Sequence, residues 1–151
     1  MLELEDVCLG ESMSEPLTTE TVAAWLTRSP FISFMNLTVE SLDEKAQTIT
    51  MKMPMRPEFE RSAGTGQFHG GPIASFIDTV GDYAVAIVLK SGVPTINFRV
   101  DYLRPSVGSF LRGTATVRRL GRTVAVVDID VTDDQGRLCA IGRGTYSGQA
   151  G

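Results

Sequence analysis

Gly66-Gln67-Phe68-His69-Gly70-Gly71-Pro72-Ile73-Ala74-Ser75-Phe76-Ile77-Asp78 sets the chain's only histidine against two glycines, then opens a long apolar segment with one carboxylate inside it. From Ile73 onward, Ile77, Val80, Ala84 and Ile87 recur at intervals of four, three, four and three, which is the stripe of an α-helix. Phe76 and Tyr83 widen the stripe, so most of this helix is expected to be wrapped by the rest of the chain. Pro72 suits a first turn, where a missing N–H costs nothing. Gly92, after Lys90 and Ser91, is the expected stop.

Outward from this helix the chain reads as one unit. Its 151 residues, 42% hydrophobic and 21% charged, describe a single globular domain over 17–151 behind a loose tail, 1–16, that mixes acids with Ser and Gly. Thr18 or Thr19 can cap a short helix with Val22, Trp25 and Leu26 on its buried side, ended by Ser29-Pro30. Two strands, Phe34 to Leu42 and Ala46 to Met53, are expected around a turn at Asp43-Glu44. Pro54 to Phe68 is read as an irregular loop, long enough before a helix to suggest function. After the helix, period-two alternation predicts four strands joined by hairpins: Thr95 to Tyr102, Ser109 to Leu120, a third through Val127, Ile129 and Val131, and Arg137 to Tyr146. Such strands make an antiparallel sheet, and a helix apolar over much of its circumference needs that sheet curled around it. The fold class is α+β.

Charge and cysteine usage narrow the function. A net charge of −4 gives no basic face for nucleic acid. Cys8 and Cys139 form no disulfide framework or metal-ligand spacing, and read as two reduced thiols. Glu3, Glu5 and Asp6 are the reverse of a signal peptide's basic start. Asp78, Asp82 and Lys90 interrupt the best candidate for a membrane span. The expected location is the cytoplasm, and no metal or cofactor is called for.

The chemistry is expected at the helix start. A helix N-terminus leaves N–H groups unpaired and carries roughly half a positive charge. Glycine there lets a carbonyl approach the backbone, so His69-Gly70-Gly71 has the makings of an oxyanion-binding end. Asp78, a little over two turns on, points to roughly the same side. Its small or polar neighbours Ala74, Ser75, Gly81 and Asp82 form a second face that another subunit could approach, and a half-buried carboxylate there suits a general base. On residue types alone a second reading stays open: a loop-bonding histidine and a solvated aspartate.

His69-Gly70-Gly71 with Asp78 nine residues after the histidine, followed by Asp101-Tyr102-Leu103-Arg104-Pro105, resembles the hotdog-fold acyl-CoA thioesterases of the phenylacetate-degradation (PaaI-like) type. The resemblance covers roughly Phe34 to Tyr146. It implies an antiparallel sheet around one long helix, homodimers joined edge to edge with the active sites at their interface, and pairs of dimers as homotetramers. It implies an acyl-CoA (or aroyl-CoA) substrate hydrolysed to free acid and CoA. The Gly70 N–H would hold the thioester carbonyl, Asp78 would act as general base or nucleophile, and His69 would position the carbonyl or the loop. Thr95 would orient the water across the interface. Gly71, Gln67, Phe68 and Arg104 are the substrate-binding candidates, with Arg118 and Arg119 as further candidates for CoA phosphates. The family's Asn about six residues before the His is replaced here by Ala63, or by Arg61 if two residues are inserted; Gln67 is the candidate substitute. That departure motivates a second function, a non-catalytic acyl-CoA-binding module or sensor. Hydration of an enoyl-CoA would want an Asp in the loop before His69, and none is there.

Overall fold

A computed structural model describes residues 15–151. Most of the expected tail, with Cys8, lies outside them. Helix α1 (Thr19–Leu26) starts as read: Thr18 accepts the Thr21 N–H at 3.1 Å, and Glu20 sits in the first turn. Its successor corrects the sequence reading. Where a strand is expected from Phe34, the chain forms α2 (Pro30–Met35), capped by Ser29 onto the Ile32 N–H at 3.3 Å and closed by Asn36 at φ 54°. A Ser-Pro pair begins a helix as readily as it ends one, and Asn is among the residues that tolerate a left-handed cap.

β1 (Thr38–Asp43) and β2 (Thr48–Pro54) form a hairpin, with Ile49, Met51 and Met53 buried as the alternation requires. The segment that follows is not irregular. A 3₁₀ turn at Pro57–Phe59 leads to Glu60, whose carboxylate accepts the N–H groups of Gly64 and Gly66, each at 2.8 Å. Both glycines have positive φ, so the clamp needs residues without a Cβ. Bridges from Glu60 to Phe68 and from Gln67 to Val107 then carry the chain into α3 (Gly70–Leu89). That helix is long and apolar enough to cross a membrane, yet its side chains are largely buried inside this fold, as a core helix requires. It ends at Lys90, φ 58°, rather than at Gly92. The Lys90 ammonium pairs with Glu44, and a cation suits the negative end of the helix dipole.

β3 (Thr95–Tyr102), β4 (Phe110–Leu120), β5 (Val124–Asp133) and β6 (Leu138–Ser147) complete one antiparallel sheet in the order β1-β2-β4-β5-β6-β3. Of these four, only β4, β5 and β6 are joined by hairpins. β3 does not pair with β4 as expected; it lies at the far edge beside β6, because the chain after Tyr102 turns under β6, where Leu103 and Arg104 both donate to the Cys139 carbonyl. Alternation reveals the face a strand presents, not its neighbour. Ile96, Phe98 and Tyr102 are therefore exposed rather than half-buried.

α3 packs against the sheet through Phe76, Ile77, Val80, Ala84 and Ile87, all fully buried with Met51, Leu111, Val127, Ile129 and Tyr146. The approach is close at two glycines. A Cβ at Gly142 of β6 would collide with Ile77, and one at Gly81 of α3 with the Tyr146 hydroxyl. Gly81 therefore belongs to the packed face, not to the open face with Ala74 and Asp82. The space it leaves lets the Tyr146 hydroxyl donate to the Asp78 carbonyl at 3.0 Å. Gly81→Ala is expected to lower stability by about 1–3 kcal/mol through overpacking, seen as a lower denaturation midpoint. Adding Tyr146→Phe should recover part of that loss, and an unchanged midpoint in Gly81→Ala would show that this contact does not constrain the core.

Candidate active site

The first turn of α3 can be accounted for donor by donor. His69 is the cap residue, and its Nδ1 accepts the Gly71 N–H at 2.9 Å. With Nδ1 an acceptor, the neutral ring carries its proton on Nε2. Its own backbone N–H goes to the Phe59 carbonyl at 2.7 Å. Pro72 has no N–H to give. The Gly70 N–H is the one first-turn donor left over. His69 thus caps the helix start. Gly71 borders the site without offering a donor.

Around Gly70 lies a cavity of about 580 Å³, lined among others by Arg61, Gln67, Phe68, Tyr102, Arg104 and Ser106. Tyr102 was not assigned a role from sequence. Its hydroxyl donates to the Gly70 carbonyl at 2.8 Å, and a Cβ at Gly70 would lie 3.1 Å from that oxygen, so the Tyr102 ring would have to shift slightly to admit one. Of the two positions aligned with the family's Asn, Arg61 lines the cavity while Ala63 does not; the Arg61 N–H donates to the Gln67 carbonyl at 2.8 Å. No acidic side chain lines the cavity, and among the described residues neither Arg61 nor Arg104 has an ion-pair partner. Arg118 is 3.5 Å from Asp128 on the sheet, and neither it nor Arg119 borders this cavity.

Asp78 forms a second cluster. Its Oδ1 accepts the Thr95 hydroxyl at 2.9 Å within the same chain, leaving the other carboxylate oxygen open. Burial pushes its pKa up, offset in part by that hydroxyl. Asp82, one turn further, is pushed up to about 6 by burial; a long 3.4 Å contact from the Val93 N–H opposes this, and the Asp78 charge adds to it. Burial, then the charges of Asp78 and Asp82, also drive the Tyr146 phenol upward, so it stays a donor. Eight residues separate Gly70 from Asp78, about 12 Å along the helix axis. One carbonyl cannot reach both. The residues read from sequence thus fall into two groups: His69, Gly70, Gly71, Gln67, Phe68 and Arg104 at the helix start, and Asp78 with Thr95 two turns away. Among the described residues no three His, Cys, Asp or Glu side chains converge to hold a metal ion.

Comparisons with known proteins identify relatives of the chain. Residues 65–140 match the family model described as Thioesterase superfamily. A Halobacterium salinarum protein that carries an esterase name is 33% identical over 126 residues, 76% of this chain and 82% of that one. The acyl-coenzyme A thioesterase PaaI of Escherichia coli is 30% identical over 111 residues, 73% and 76% of the two chains. A solved structure of a protein from the thioesterase superfamily superposes with a TM-score of 0.79 at 33% identity, covering 85% of this chain and 96% of its own.

The Asp82 carboxyl supplies a test of the electrostatics. Its folded pKa lies above the ordinary 3.8, so the folded state holds the proton more tightly and stability falls as pH rises from 3.8 through about 6. Asp82→Asn is expected to be more stable than wild type near neutral pH by about 2–3 kcal/mol, with the gain vanishing in acid. Urea denaturation of both proteins across that window measures it; a pH-independent difference would contradict the burial of this charge.

Proposed function

Since the chain belongs to the thioesterase superfamily and has its hotdog fold, we propose that it hydrolyses acyl-CoA thioesters at a site completed by a second copy of itself. The observation that carries this is the division of the machinery on α3. The single free donor, the Gly70 N–H, and the half-buried Asp78 are each suited to one part of the reaction, yet sit about 12 Å apart in one chain. Edge strand β3 supports the way two copies would join them. Its first residue, Thr95, bonds Asp78, and its last, Tyr102, bonds Gly70. An antiparallel ladder between two β3 strands, centred near Phe98 and Arg99, sets Thr95 of one copy opposite Tyr102 of the other. The Asp78 of one copy is thereby carried toward the Gly70 of the second. Exposed Ile96 and Phe98 would be covered in the same step.

In this arrangement Asp78 takes a proton from water through its open oxygen while Thr95 holds the other. The hydroxide adds to the thioester carbon, and the charge on the carbonyl oxygen is held by the Gly70 N–H and the positive helix end. The C–S bond then breaks, and the leaving CoA thiolate takes up the proton that Asp78 drew from the water, which returns Asp78 to its carboxylate. Arg61 and Arg104 make the cavity beside Gly70 cationic, which suits the phosphate-bearing thiol arm rather than an apolar acyl group.

Asp78→Asn should lower kcat by about 10²–10⁴, the usual worth of a general base. Gly70→Ala, which keeps the N–H, shows what a Cβ against Tyr102 costs; Gly70→Pro adds to it the loss of the donor, at a helix position that accepts proline after a residue already extended (His69, φ −66°, ψ 150°). That loss should cost about 10²–10³. Thiol release from a panel of acyl-CoAs measures both. Two inactive variants mixed and allowed to exchange chains should regain about a quarter of wild-type activity, because half the dimers then hold one intact site of two. Full activity in Asp78→Asn would sink the mechanism, and no recovery on mixing would sink the shared site.

A further inference from the structure

Two glycines on two different elements, Gly81 of α3 and Gly144 of β6, leave space for one ring. A Cβ at either position would collide with Tyr146, at Gly81 with its hydroxyl and at Gly144 with both hydroxyl and ring. The Tyr146 side chain is fully buried. It leans back along its own strand and passes under the helix, where its hydroxyl donates to the Asp78 carbonyl at 3.0 Å. In the β3–β6 ladder the residue directly opposite Tyr146 is Thr95, whose hydroxyl donates to Asp78 Oδ1 at 2.9 Å. Opposed residues face the same side of a sheet. One rung of the ladder thus holds Asp78 twice, by its backbone and by its carboxylate.

Packing alone needs only the ring, since a phenylalanine fills nearly the same volume with no buried hydroxyl to satisfy. The hydroxyl is instead aimed along α3, and of the twenty residues in that helix the one it bonds is Asp78. Burial pushes the Asp78 carboxyl up, and the hydroxyls of Thr95 and Tyr146 oppose that push. The titratable groups facing the phenol are Asp78 and Asp82, both of α3; β5 brings Ile129 and β3 the neutral Thr95. Asp82 in turn borders a cavity under α1 and α2, beside Arg28 and Lys90. Resting on the reading that Asp78 is the base of the hydrolysis, we infer that Tyr146 is a positioning residue. Its hydroxyl fixes the turn of α3 that carries Asp78, so that the open carboxylate oxygen is held in one place while Thr95 occupies the other.

Tyr146→Phe keeps the ring and deletes the hydroxyl. In thiol-release assays it should lower kcat by roughly ten- to a hundred-fold with KM little changed. The acid limb of kcat against pH should move to higher pH, because one of the two hydroxyls that oppose the burial of Asp78 is gone. In an Asp78→Asn background the same substitution should cost less than about two-fold, since no base is left to position. A role confined to packing would cost the same factor in both backgrounds and leave the acid limb in place; either result overturns the assignment. Carbon NMR of the Asp78 carboxyl, identified as the signal absent from Asp78→Asn, follows its titration with no substrate present. That titration should move to higher pH in Tyr146→Phe, and an unmoved one would also overturn the assignment. Movement in a protein that cleaves no acyl-CoA would leave the hold of Tyr146 on Asp78 standing and sink the hydrolytic reading instead.

Discussion

The fate of the backbone N–H groups in the first turn of α3 decides what the helix start can do. A helix leaves these donors without intrahelical partners, and a buried helix must place each of them somewhere. Here the His69 ring takes one, Pro72 removes another, and the cap residue's own N–H is used by Phe59. The Gly70 N–H is left in a cavity, not in the core. What glycine supplies there is clearance rather than unusual dihedrals, since a Cβ would press on Tyr102. The same contact fixes the end of β3 against the helix start, so the donor and the sheet edge are held as one piece.

That coupling gives the edge strand a second purpose. An exposed strand with apolar side chains and unpaired backbone groups is a liability unless something covers it. Covering Ile96 and Phe98, which are 58% and 38% exposed, would stabilise an assembly by about 1–3 kcal/mol together. A two-fold axis across β3 also answers the separation on α3, because the strand's two ends hold the two halves of the machinery. Distance and exposed area, two unrelated observations, favour one geometry.

Much of this was legible in the sequence wherever a local period carries the information. The four-three-four-three stripe located α3, and period-two alternation located β2, β4 and β5. What local patterns cannot carry was misread or missed. Ser29-Pro30 has the composition of either helix end, and only the packing of Ile32 and Met35 against the core settles which. Neither the place of β3 at the edge nor the bond from Tyr146 to Asp78, 68 residues apart, leaves any trace in a short window. The eight-residue interval from Gly70 to Asp78 was read by its rotation, which places both on one side. Its rise was equally available and says that they cannot share a carbonyl within one chain.

Asp82 shows why the helix face beyond Asp78 is more than a surface. A half-buried carboxyl held above its ordinary range by lost hydration costs stability at neutral pH, and its one backbone contact is too long to offset that. An asparagine would occupy the same volume without the charge. Such a cost fits a position where the charge acts on something other than the fold. From Asp82 a negative charge faces both the cavity under α1 and α2 and, one turn away, Asp78. Arg28 and Lys90 line the same cavity, so there the carboxylate stands among cations. Toward Asp78 the interaction is one of like charges, and it ties the protonation of the two carboxyls together on one helix face.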